Sequence, residues 1–263
     1  MPKSGKAAPC FVAGRVRCAR AGAGAGEIGV VGVPHRLLCP GEGLCLHGRP
    51  YSRAVMVRPH TFPSVSSMEC ATVTTFALVR HGQTDWNAER RLQGSTDIPL
   101  NDVGRGQARY AVAALAGYEW DAIVSSPLSR AAETADLIAA GLRLSVARRV
   151  PELAERSFGP AEGLQPGPEL DALRIPGGFR GAESKDATAR RGLAALEALA
   201  AEFRGCRVLA VSHGTLIRVS LSRAIGHTLP HIDPAALNLA HHADDGWQVE
   251  YVNGEPVMAG AQG

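Results

Sequence analysis

Thr74-Thr75-Phe76-Ala77-Leu78-Val79-Arg80-His81-Gly82-Gln83-Thr84 is the stretch on which the fold turns. Its first six residues are β-branched or apolar, the mark of a strand buried on both faces. An abrupt change to Arg, His and Gly follows. A second such passage occurs late in the chain. Arg207–Val211 reads as a strand and runs into Ser212-His213-Gly214-Thr215, with a helix expected from about Gly214 to Ile225. Between the two lie a helix over Asn101–Leu115, capped by Asn101 or Asp102, and a strand over Asp121–Ser125. A helix is then expected from Ser126-Pro127 to about Ala140, with the proline in its first turn. Leu144–Val146 is a weaker strand, and the Gly- and Pro-rich stretch Pro160–Gly181 reads mostly as loop. Asp186–Phe203 has Ala189, Leu193, Leu196, Ala200 and Phe203 on one helical face. Asn238–His242 and Trp247–Val252 read as a strand pair around Asp244-Asp245-Gly246. Strands alternating with helices predict an α/β fold with a mostly parallel sheet covered on both faces. Ligands of such sheets bind beyond the carboxyl ends of the strands.

Charge and composition change near residue 70. Residues 1–70 hold nine basic and three acidic residues, ten Gly and seven Pro, and no sustained period of 3.6 or 2. They predict a poorly ordered, basic extension, with residues 71–263 as the catalytic domain. An organelle leader, an interaction arm or an over-long gene start with Met68 as the true beginning would each fit. The third is favoured, because the regular pattern begins only after Met68. Gly24-Ala25-Gly26-Glu27-Ile28-Gly29 fits a dinucleotide fingerprint in letters alone: no strand precedes it and no acidic residue follows at the right distance.

The remainder carries a net charge of −3, so it has no basic face for nucleic acid. No run approaches the roughly 20 apolar residues of a membrane helix. Five of the six cysteines (Cys10, Cys18, Cys39, Cys45, Cys70) lie in the extension at spacings that match no zinc site, and the sixth, Cys206, reads as a packing residue. A cytoplasmic setting follows as the default. Nothing in the composition sets an oligomeric state.

The strand ends carry the chemistry. Arg80-His81-Gly82 follows the first strand, Ser125-Ser126-Pro127-Leu128-Ser129-Arg130 the second and Ser212-His213-Gly214 the late one. Arginine forks match phosphate oxygens, and neutral imidazole is a competent nucleophile. Helix N-termini after His81 and His213 are expected to add backbone N–H groups. Gly82 and Gly214 are expected to leave room for a close approach. No carboxylate cluster suited to magnesium stands at these ends. The loop Pro151–Gly159 offers Glu155 as a proton donor, with Glu152 and Glu162 as alternatives. The remaining histidines, His231, His241 and His242 among them, read as surface or packing residues.

Leu78-Val79-Arg80-His81-Gly82-Gln83-Thr84-Asp85-Trp86-Asn87 resembles the signature of the histidine phosphatase superfamily, in its phosphoglycerate-mutase-like branch. The resemblance continues through Arg91–Gly94, Asp97–Asn101, Gly104–Ala108, Ser125–Arg130 with Ala132–Ala135, and Val211–Gly214, and covers roughly residues 74–252. It implies a three-layer α/β/α sandwich and a phosphomonoesterase of small phosphorylated metabolites that needs no metal or other cofactor. It implies His81 as the nucleophile that becomes phosphohistidine. Arg80, Arg130 and His213 complete the phosphate pocket, and Glu155 is the proton donor. Asn87, Gln93 and Gly94 resemble positions that contact phosphate or substrate. Two departures lie beside the pocket. Gly159-Pro160-Ala161-Glu162-Gly163 lacks the aromatic residue that members often carry, and the usual Gly-Glu-Ser turn appears as Gly181-Ala182-Glu183-Ser184. Only 27 residues separate Glu155 from Glu183. The mutases resembled carry a longer insertion there, so a phosphatase is expected before a mutase. A catalytically silent phospho-ligand binder is the reading from another class.

Overall fold

The computed structural model describes residues 73–257, and the expectations for residues 1–70 lie outside them. In chain order come β1 (Thr74–Arg80), the one-turn helix α1 (Asp85–Ala88), α2 (Asp102–Leu115), β2 (Ala122–Ser125), α3 (Ser129–Leu142) and β3 (Val146–Arg149). There follow α4 (Pro168–Ala172), the small strands β4 (Arg174–Ile175) and β5 (Gly178–Phe179), α5 (Lys185–Glu202), β6 (Arg207–Ser212) and α6 (Gly214–Ile225). The strands β7 (Leu237–Ala243), β8 (Gly246–Val252) and β9 (Glu255–Pro256) close the series.

Seven strands form one sheet in the order β3-β2-β6-β1-β7-β8-β9. The first four are mutually parallel, and β7 to β9 add antiparallel pairings at one side. Side chains alternate across the sheet. Phe76, Leu78, Val208 and Ala210 pack with Leu196 and Leu199 of α5 and Ile217 and Leu221 of α6. Ala77, Val79, Leu209 and Val211 pack on the other face with Leu115 of α2 and Ala135 and Ile138 of α3. Both faces are covered, which is why β1 and β6 are apolar almost throughout rather than alternating. The result is the expected three-layer sandwich.

Local chemistry sets the element ends. Asn101 caps α2 by accepting from the Gly104 N–H at 2.9 Å. The start expected for α3 is displaced. Pro127 stays outside the helix, which begins at Ser129 with Leu128 as a cap that offers no side-chain bond. The physical reason lies in Ser126: proline after it disfavours helical backbone, and its Oγ is engaged with the Leu128 N–H and with His213. The stretch 160–181 is mostly turn and loop, as expected, but it carries short elements. It holds α4, opened by Pro168, and the β4–β5 hairpin, and around them Phe158, Ala161 and Leu170 form a small core of their own. Gly and Pro there punctuate short elements instead of replacing them.

Candidate active site

Parallel pairing of β1 with β6 sets Arg80 opposite Ser212, so His81 and His213 leave neighbouring strands at the same level. Their ring centroids lie 5.1 Å apart. Both are buried. Nδ1 of His81 lies 2.6 Å from the carbonyl oxygen of Gly82, an acceptor, so Nδ1 carries the proton and Nε2 keeps its lone pair. Arg130 comes from the first turn of α3, is fully buried, and donates from Nε to that Nε2 at 3.2 Å. Its Nη1 and Nη2 donate to the carbonyls of Thr96 and Gly94 at 3.0 and 2.7 Å. Three anchored nitrogens fix the guanidinium plane.

Burial, followed by the charges of Arg130 and Arg80, holds His81 well below the usual imidazole range. His213 is lowered in the same way by burial first and then by Arg130, His81 and Arg80. Burial lowers Arg130 itself to about 10, which leaves it a cation at neutral pH. Arg80 is also lowered by burial, and Glu155 opposes that shift in both arginines. Glu155 therefore lies within electrostatic reach of both guanidinium groups.

Glu155 is buried at 8% exposure. Its Oε1 accepts from the N–H groups of Arg156 and Leu216, and its Oε2 from Thr215. Desolvation outweighs these bonds and raises its pKa. The bonds also narrow an expectation. The Thr215 and Leu216 amides at the start of α6 serve this carboxylate, and the Gly214 N–H of that turn does not bond it. After His81 the helix α1 is a single turn whose capping box joins Thr84 to Asn87, and the N–H groups of Gly82 and Gln83 already bond Thr134 and Gln107. The glycines likewise make room for protein. A Cβ on Gly82 would sit 2.4 Å from the Gly104 carbonyl oxygen of α2.

Of the alternative acids, Glu152 is exposed. Glu162 accepts from the N–H groups of Ser95, Thr96 and Phe158 and from the hydroxyls of Ser95 and Thr96. Although burial acts the other way, these bonds hold its pKa below the usual carboxylate range. It ties the 94–96 loop to the Glu155 loop as an anion.

Gln93 accepts from Thr84 Oγ1 and Asn87 Nδ2 at 2.8 and 3.0 Å, and its own Nε2 has no partner. Nor have Arg80 Nε and His213 Nδ1. All three are buried nitrogens of residues singled out in the sequence. Gly94 contributes its carbonyl to Arg130 and has no space for a side chain, since a Cβ would meet Glu162 Oε1 at 2.4 Å. Among the described residues no cluster of three or more His, Cys, Asp or Glu is placed to hold a metal ion.

The histidine phosphatase superfamily (branch 1) family model matches residues 76–255. The chain belongs to that superfamily. A Bacillus subtilis (strain 168) protein named uncharacterized phosphatase PhoE is 32% identical over 194 residues, spanning 72% of this chain and 98% of its own. An Arabidopsis thaliana metal-independent phosphoserine phosphatase is 36% identical over 195 residues, spanning 68% and 80%. The native structure of a mycobacterial glucosyl-3-phosphoglycerate phosphatase superposes with a TM-score of 0.61 at 27% identity, over 69% of this chain and 99% of that one. Proteins named probable phosphoglycerate mutase match as well.

Within this histidine phosphatase fold, some neighbours of the site were not foreseen. Ser126 Oγ lies 2.8 Å from His213 Nε2. Register held the clue, because β2 pairs with β6 and sets Ser125 opposite Val211. Arg191 of α5 binds Glu183 through Nε and Nη2, and donates from Nη1 to the carbonyls of Glu152 and Ala154 at 2.6 and 2.9 Å. It braces the loop that carries Glu155, and no local sequence signal marks it. His231 is exposed, as the surface reading expects, and places Nε2 3.1 Å from Arg80 Nη1. His241 does behave as a packing residue, bonded to Thr75 and Glu250.

Proposed function

We propose that this member of the superfamily is a phosphomonoesterase of small phosphorylated metabolites, with phosphohistidine forming on His81. One observation carries the reading. Among the described residues, Arg80, Gln93 and His213 each hold a buried nitrogen without a partner, and the Nε2 of a neutral His81 keeps its lone pair. Buried polar groups are normally satisfied, and a tetrahedral phosphoryl dianion has the acceptors to satisfy these.

In this mechanism the Nε2 lone pair of His81 attacks phosphorus in line with the ester oxygen. The P–N bond forms as the P–O ester bond breaks, and Glu155 gives its proton to the departing alkoxide. Arg80 and Arg130 neutralise charge on the equatorial oxygens, and neutral His213 offers one of them a hydrogen bond. Glu155, now a carboxylate, takes a proton from water as that water attacks phosphorus. The P–N bond breaks, its electron pair returns to Nε2, and orthophosphate leaves. The 3.2 Å contact from Arg130 to Nε2 must yield to phosphorus as substrate enters. Gln93 presents Nε2, held by Asn87 and Thr84, while Gly94 anchors Arg130.

Water as the acceptor, and so a phosphatase rather than a mutase, is favoured by the short connection after Glu155. It contains only a 3₁₀ turn (Gly159–Ala161), α4 and the two-residue strands β4 and β5 before Glu183. The cysteine usage supports a reducing, cytoplasmic setting, and the family match over residues 76–255 supports residues 71–263 as the catalytic domain. The test is phosphate release from p-nitrophenyl phosphate in EDTA, wild type beside His81→Ala, with mass-spectrometric trapping of phosphate on His81. Release by wild type alone is expected. Equal release by both proteins would defeat the mechanism. Isomerisation of 3-phosphoglycerate faster than its hydrolysis would turn the assignment to the mutase.

A further inference from the structure

The loop between α6 and β7 holds one residue of the site at both ends. The Arg80 carbonyl accepts from the Ala235 N–H at 3.0 Å. At the tip of the side chain, Arg80 Nη1 donates to the Ile232 carbonyl at 2.8 Å and meets His231 Nε2 at 3.1 Å. A guanidinium has no acceptor, so His231 Nε2 supplies the lone pair and Nδ1 carries the proton. The ring is therefore neutral in this contact. Its surroundings favour that state. Partial desolvation of the ring comes first, then the charges of Arg80 on β1 and Arg218 on α6, and together they lower its pKa against Asp233 of the same loop.

The loop is itself fixed from outside. Asn253, in the turn between β8 and β9, donates from Nδ2 to the His231 carbonyl at 2.6 Å and accepts at Oδ1 from the Asp233 N–H at 2.9 Å. Its own N–H donates to Asn238 Oδ1 at 3.0 Å. Asn238 is buried, and its Nδ2 donates to the carbonyls of Ala236 and Leu78 at 3.2 and 2.9 Å. Leu78 stands two residues before Arg80 on β1, so the loop is set against the strand that carries the arginine. All these bonds engage loop backbone and would hold with any side chain at position 231. The imidazole is different. Among the described residues its one hydrogen bond is to Arg80, although the residue is exposed.

The grip falls on one corner of the guanidinium. Nη1 has two acceptors, whereas the buried Nε has none. Gly214 closes off the stem, since a Cβ there would lie 3.3 Å from both Cδ and Nε of Arg80. A planar fork pinned at one corner keeps its other N–H groups in fixed directions. We infer that His231 is a positioning residue of the phosphoryl site: its neutral Nε2, with the Ile232 carbonyl, holds Nη1 of Arg80 and keeps the unpartnered Nε turned to the phosphoryl oxygens. This rests on the phosphatase reading, in which Arg80 meets those oxygens. His231 touches no reacting atom and acts through Arg80.

The test sets His231→Leu, which has no acceptor, beside His231→Gln, whose side-chain carbonyl can accept from Nη1. Two quantities are read in each: kcat/KM on p-nitrophenyl phosphate, and the Kd of orthophosphate by calorimetry, which requires no turnover. His231→Leu is expected to lower kcat/KM and to weaken orthophosphate binding by about tenfold each, the scale of a hydrogen bond to a charged group. The kinetic loss should fall on KM more than on kcat, because Arg80 meets the phosphoryl group in ground and transition states alike. His231→Gln is expected to stay within about twofold of wild type, a rescue that a surface or packing role would not show. His231→Leu equal to wild type, or His231→Gln as impaired as His231→Leu, would overturn the positioning role and leave the phosphatase standing. The expected order of orthophosphate affinities without any ester hydrolysis by wild type would keep the positioning role and remove the phosphatase. Wild type that neither hydrolyses the ester nor binds orthophosphate would remove both.

Discussion

His81 and His213 begin from the same circumstances and end in opposite roles. Each follows a buried parallel strand, each precedes glycine, and the strands are neighbours in register. Their protein contacts nevertheless select different nitrogens. The Gly82 carbonyl takes Nδ1 of His81 and leaves Nε2 its lone pair, toward which Arg130 donates. Ser126 takes Nε2 of His213 and leaves Nδ1 without a partner. In the proposed mechanism one imidazole gives an electron pair to phosphorus, and the other meets its oxygens. A shared dipeptide motif does not assign roles; the hydrogen bond behind each ring does.

The sharpest way to break this asymmetry is to delete each ring in turn. His81→Ala is expected to lower kcat on p-nitrophenyl phosphate by about 10⁵-fold or more, because no other group supplies the nucleophile. His213→Ala removes one hydrogen-bond donor to the phosphoryl oxygens and should cost about 10²- to 10³-fold. Equal losses in the two variants would dissolve the distinction.

Glu155 and Glu162 extend the contrast to carboxylates seven residues apart. Burial raises one, and five hydrogen bonds depress the other. Glu155→Gln should slow hydrolysis of an alkyl phosphate by about 10²-fold while sparing p-nitrophenyl phosphate, whose phenolate leaves without a proton. Glu162→Gln should act through stability, seen as a lower Tm. With its folded pKa depressed, Glu162 contributes stability that is present above the ordinary carboxylate range and is lost as pH falls through the folded value.

The pH profile tests the two histidines together. Both are lowered well below 6.5, so in the folded protein they stay neutral at mildly acidic pH. The acid limb of kcat/KM on p-nitrophenyl phosphate should accordingly lie below 6.5. Stability should already decline as pH drops past that value, because the unfolded chain binds protons there that the folded chain refuses. A kinetic limb centred on 6.5 would mean that His81 is solvated. The smallest effect is expected from Ser126→Ala, a loss of about three- to tenfold that reflects a loosened His213 ring. Activity equal to wild type would show that packing alone orients that ring.

Much was legible in the chain. Buried strands announced themselves by unbroken apolar runs, α5 by its spacing, and the site by Arg, His and Gly placed directly after strand ends. The start of α3 was not legible, since Ser126 answers to His213, 87 residues away. Neither was the commitment of the α6 amides to Glu155, 60 and 61 residues away. Nor could α4 and the β4–β5 hairpin be seen in a stretch dense with breakers, because elements this short are held by Leu170 and Phe179 packing on Phe158 rather than by propensity.

By itself, then, the sequence determined the layer order, the residue types of the pocket and the strand ends that carry them. Those follow from local periodicity and from the abrupt change of chemistry where a buried strand meets solvent. Only the tertiary structure decided which nitrogen each histidine presents, and which glutamate is pushed up and which is pinned low. These are matters of desolvation and of hydrogen bonds between distant segments, and neither is defined until the segments are packed together.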